Sequence, residues 1–129
     1  MRMQESTVSL GSGEAEFRLS GELSEWLFSS SSEYFWSNFN DTHGTLFDQF
    51  EDEIVNSSII NLIADELGNK ISELEGLNSS DLEFAYRWTQ DRRPIMATIS
   101  KAVLILGLTK LRHFLCDAAK TGSVATFSL

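Results

Sequence analysis

The stretch of chain from residue 94 to 122 constrains the fold more than any other. Pro94 is the only proline of the sequence, and its missing N–H suits the first turn of a helix. The spacing predicts one long helix from there through TISKAVLILGLTKLRHFLCDAAK to Gly122. Its middle, AVLILGL at 102–108, is apolar on every side, which is the pattern of a helix surrounded by others. Lys101 and Lys110 bracket that run, and it falls well short of the roughly 20 residues that span a bilayer. Gly107 within it suits a close helix crossing.

The rest of the chain arranges itself around that helix. Val8 and Leu10, then Ala15, Phe17 and Leu19, alternate with polar residues, and the GSG at 11–13 suits a turn, so a β-hairpin is predicted. The final SVATFSL is a candidate third strand. Leu23, Trp26 and Leu27 follow helical spacing up to the serine run at 29–32, and a second helical stretch covers 33–39. Residues 40–44 read as a loop. From Thr45, Phe47, Phe50 and Ile54 share one helical face, with Asp48, Glu51 and Asp52 on the other. A further helix over 59–67 stops at Gly68 and Asn69, and Ile71, Leu74 and Leu77 mark a short one closed by Gly76. SSDLE at 79–83 resembles a capping box, with Glu83 and Arg87 as an i, i+4 ion pair. The expected fold is therefore mainly α. It is one domain over 1–129, a helical bundle around the C-terminal helix, with a hairpin at 1–21, a helical body at 22–122 and a tail or edge strand at 123–129.

Chain length and a 42% hydrophobic content suffice for a packed core without staples. A lone cysteine, Cys116, makes no internal disulfide, and the first residues carry no apolar core of signal-peptide length. The expectation is a cytoplasmic protein. The net charge of −9 is unevenly spread: net −14 up to Tyr86, then net +5 from Arg87 onward. A surface so negative steers cationic partners and disfavours nucleic acid, which needs a basic footprint.

Catalytic and cofactor patterns are not found. His113 and Cys116 lie one helical turn apart, but two ligands do not make a zinc site. Aligning Gly44 of DTHG with the invariant glycine of a calcium loop puts Phe39 and Phe50 where oxygen ligands belong. His43 beside Asp41 lacks a nucleophile, and GSGEAE lacks the lysine and spacing of a phosphate loop. Arg87, Arg92 and Arg93 near Trp88 form a small basic cluster that the surplus carboxylates would neutralise. No catalytic residue, metal or cofactor is expected.

The expected function is protein binding: a small inhibitor of the immunity type, occluding a basic toxin such as a nuclease. Its carboxylates would be Asp48, Glu51, Asp52 and Glu53. Because Tyr34, Phe35 and Trp36 are consecutive and cannot all face inward, Tyr34 and Trp36 are the candidate aromatic anchors. The alternatives are a homodimeric structural or regulatory subunit and a small-ligand protein or enzyme using His43.

Overall fold

The computed structural model describes residues 3–11 and 15–129. The turn expected at 11–13 falls mostly outside them, at 12–14. Of the described residues 48% are helical and 27% are in strands, which corrects the mainly helical expectation. The fold is α+β. Three strands lie inside the segment expected to be a helical body.

The main sheet has four antiparallel strands in the order β2-β1-β6-β3. They are β1 (Ser6–Leu10), β2 (Ala15–Leu19), β6 (Ala125–Ser128) and β3 (Asp52–Val55). The C-terminal segment does pair with the hairpin, Val8 standing opposite both Phe17 and Phe127. Alternation gives the sheet one apolar and one polar face. Val8, Leu19, Ala125, Phe127 and Val55 are buried, whereas Thr7, Ser9, Thr126, Ser128, Asp52 and Ile54 stand on the other side.

The helices cover the apolar face. They are α1 (Gly21–Phe28), α2 (Phe35–His43), α3 (Ser57–Glu75) and α4 (Lys101–Lys120), with a 3-10 turn at Ser30–Ser32. Side-chain oxygens of Ser20, Asn56 and Ser100 cap α1, α3 and α4 by accepting from the amides of Leu23, Ile59 and Val103. Phe17 of β2 meets Phe114 of α4 at 5.5 Å between ring centroids. Trp36 of α2 and Phe47 meet Phe127 of β6 at 5.9 and 5.2 Å. These aromatic contacts join sheet and helices into one core.

Helix α4 is shorter and less enclosed than its sequence suggests. It begins at Lys101, and Leu104, Leu108, Leu111, Leu115 and Ala118 form a single buried stripe. Val103 and Leu106 on the opposite side are more than half exposed, so other helices do not surround it. Gly107 does serve a close approach: a Cβ there would meet Leu23 Cδ2 at 3.2 Å.

Helix α3 runs straight through Gly68 and Asn69, where a stop was expected. The glycine makes room for a neighbour. Arg112 of α4 donates from Nε to the Ala64 carbonyl at 3.0 Å, and a Cβ on Gly68 would stand 3.0 Å from that nitrogen. Helix α2 likewise continues through the expected loop to His43 and ends on Gly44, at a φ of 69°.

Besides β3, two further segments expected to be helical are extended. Asp81–Trp88 and Pro94–Ser100 are β4 and β5, a separate two-stranded sheet. Ser80 and Glu83 therefore form no capping box, and Pro94 takes the first position of a strand, where no ladder N–H is required of it. Residues 45–51 form a loop leading into β3. The Asn40 side chain accepts from the Phe47 N–H at 2.9 Å and donates to its carbonyl at 2.8 Å, replacing the helical partners. Phe47 is buried while Phe50 and Ile54 are exposed, so the three share no face.

Candidate functional site

Four parts of the chain converge on a cleft of about 340 Å3 lined by Glu25, Tyr34, Gln49, Phe50, Arg87 and Trp88, among others. Glu25 lies on the buried face of α1, its side chain 1% exposed. A carboxylate in that position requires a partner. Arg87 supplies it, through a bulge in β4. Phe84 pairs with Ala97, Ala85 with Met96 and Arg87 with Ile95, so Tyr86 is the extra residue. Ala97 and Ile95 share a face of β5, and the bulge therefore returns Arg87 to the inner side that Phe84 occupies.

The Arg87 guanidinium donates from Nη1 to Glu25 Oε2 and, at 2.6 Å, to the Tyr86 carbonyl. Its carbon also lies 5.8 Å from the Phe50 ring centroid and 5.9 Å from that of Tyr86, within reach of cation–π attraction. Gln49 Nε2 donates to Glu25 Oε1 at 2.5 Å. Glu25 thus ties residues 49–50 to β4, and no Glu83–Arg87 ion pair forms among the described residues.

The rim of the cleft is aromatic and exposed. Tyr34, Phe50 and Trp88 have 55%, 67% and 63% of their surface open to solvent. Tyr34 and Phe50 also adopt left-handed backbone, at φ 54° and 64°. That conformation costs an L-residue about 1–2 kcal/mol, and such strain clusters at functional positions.

The predicted docking residues divide. Asp48, Glu51 and Asp52 are exposed on the segment that carries Phe50. Glu53 is half-buried and accepts from the Leu46 amide at 2.9 Å, which makes it a brace of the loop. Tyr34 lies on the exposed rim. Trp36 does not: it is 1% exposed, packed between Phe35 and Phe47, and presents nothing to a partner. Sequence reasoning missed Phe50 as an exposed group and overlooked Glu25, Gln49 and Arg87 as a unit. Helical spacing gives no signal for Glu25, which falls on the opposite side of α1 from Leu23 and Leu27; it is buried because residues 23–27 are buried all round.

Of the cations from Arg87 onward, Arg87 engages Glu25 and Arg93 engages Asp91. Lys101 and Arg112 donate to backbone carbonyls, of Leu77 and Ala64. Among the described residues no ion pair engages Asp48, Glu51 or Asp52.

His43 ends α2 with its ring 4.4 Å from that of Phe39, beside a smaller cavity of about 110 Å3 that Glu66 and Lys70 also line. His113 is exposed and Cys116 half-buried. Among the described residues no group of three or more His, Cys, Asp or Glu is placed to hold a metal ion, and no helix is long and apolar enough to cross a membrane. No protein-family model, curated protein or solved structure matches the chain.

Proposed function

We propose that the chain is a non-catalytic, cytoplasmic protein-binding domain that docks a basic partner, in the manner of an immunity protein occluding a toxin such as a nuclease. The observation that carries this reading is the coincidence of charge and aromatic exposure on one segment. Among the described residues Asp48, Glu51 and Asp52, which flank Phe50 in the chain, make no ion pair, and Phe50 shares a cleft with the exposed Tyr34 and Trp88. Exposed aromatics supply the buried centre of an interface, and surrounding carboxylates supply orientation and a fast encounter with a cationic surface.

Affinity capture from source cells, followed by titration of the captured protein, tests this. The triple variant Asp48→Lys, Glu51→Lys, Asp52→Lys is expected to bind at least about a hundredfold more weakly, and raised salt to weaken the parent complex. Phe50→Ala is expected to cost about 2 kcal/mol of binding free energy. A partner that is acidic, or indifferent to both sets of changes, would remove the proposal.

A second reading, a homodimeric subunit, draws on Val103 and Leu106, the exposed apolar residues of α4. The apolar stripe of that helix lies on its other side and is buried within its own chain, which leaves little for a dimer interface to cover.

A further inference from the structure

We propose that β3 is the docking edge itself, and that a basic, extended segment of the partner adds to it as an antiparallel fifth strand. This rests on the docking reading above and specifies how the partner is held. Among the described residues the order β2-β1-β6-β3 gives β3 a strand neighbour on one side only. The phase of its ladder follows from one bond beyond the strand, the Leu129 N–H donating to the Glu51 carbonyl at 3.3 Å. In an antiparallel pair, residues that exchange hydrogen bonds alternate with residues whose N–H and C=O point away. Glu51, Glu53 and Val55 therefore face Leu129, Phe127 and Ala125, while Asp52 and Ile54 turn their backbone groups to the free edge.

Among the described residues no strand covers that edge. The segment preceding β3 spends its backbone groups elsewhere: Phe47 on the Asn40 side chain and Leu46 on the Glu53 carboxylate. Ile54 is 66% exposed, and its side chain stands with that of Asp52 on the outer face of the sheet.

Charge selects the occupant. A second copy paired here would bring Glu51, Asp52 and Glu53 of both chains to one seam, and like charges set across strands repel. The opposite edge, β2, carries Glu16 and Arg18 as a mutual pair at 4.0 Å and has no net charge with which to choose. A partner strand suits β3 when it sets a lysine or arginine opposite Asp52 and an apolar residue opposite Ile54. Those two positions are separated by one residue, so both side chains share the outer face.

The probe is the synthetic peptide Thr-Lys-Thr-Val-Thr-Lys-Thr-Val, titrated into 15N-labelled full-length protein. A second peptide carries N-methyl groups on its lysines and valines, which removes the donors that would face β3. Bound unmodified peptide is expected to slow exchange of the Asp52 and Ile54 amides by at least about tenfold. The N-methylated peptide is expected to bind at least about tenfold more weakly. Equal binding of the two peptides, with shifts confined to residues 48–54, would overturn strand addition and leave the acidic docking surface standing. Failure of the unmodified peptide, at saturating concentration, to protect those two amides would overturn it too. The docking reading fails separately, if the captured partner ignores the triple charge reversal.

Discussion

Glu25 shows what one misplaced-looking residue organises. An acid on the buried face of α1 would be expelled or neutralised if it stood alone, since desolvating a carboxylate costs several kcal/mol. Here Arg87 and Gln49 satisfy it, and through them the loop bearing Phe50 is held against β4. Glu25→Gln would leave the Arg87 guanidinium half-buried without a counter-charge. The expected loss is about 3 kcal/mol of unfolding free energy, measured by urea denaturation. A loss under about 1 kcal/mol would mean that the loop and strand hold together without the pair. Tyr34 is the opposite kind of residue, exposed and strained at φ 54°. Tyr34→Gly is expected to raise stability by about 1 kcal/mol while weakening partner binding. If the same denaturation experiment shows a loss, Tyr34 is kept for packing and not for contact.

At the scale of elements, the passage of α3 past α4 is set by Gly68 and Arg112. Replacing a mid-helix glycine by alanine ordinarily gains about 1 kcal/mol. With Arg112 in place the new Cβ crowds Nε and disturbs its bond to Ala64, so Gly68→Ala is expected to destabilise; in an Arg112→Ala background it is expected to gain the full increment. A double-mutant cycle read by thermal melting gives both values, and additivity would contradict the account. The same pair shows why part of the fold was legible and part was not. The hairpin, the third strand from the C-terminus and the buried stripes of α3 and α4 are local patterns of period 2 or 3.6. The stop expected at Gly68 failed because its reason lies 44 residues away, in Arg112. In β4, Leu82, Phe84, Tyr86 and Trp88 satisfy i, i+2 as well as i, i+4, and the cap-like Ser80 favours the helical reading. Residues 45–54 misled likewise, since Asn40 diverts Phe47 and the edge of β6 claims β3. The acidic half of the site was readable as a cluster of charge. Its aromatic rim was not, because the Glu25–Arg87 pair spans 62 positions and the bulge that aims Arg87 leaves no mark in the sequence.

For the molecule as a whole, charge is spread unevenly along the chain. In the basic C-terminal third, Arg87 and Arg93 pair with Glu25 and Asp91, Lys101 and Arg112 donate to backbone carbonyls, and among the described residues Asp48, Glu51 and Asp52 stay outside the ion pairs. Such a surface repels its own copies. Light scattering across concentration is expected to report a monomer, whereas a stable dimer at low protein concentration would favour the exposed face of α4 as an interface. The central claim is that residues 48–54, with Tyr34 and Trp88, form the contact surface for a cationic protein. Hydrogen exchange of the captured complex against the free chain tests it most directly. Slowed exchange concentrated at 48–54 and at the Tyr34 and Trp88 rim is the predicted footprint. Protection confined to α4 or to the β2 edge, with 48–54 exchanging as in the free protein, would contradict it.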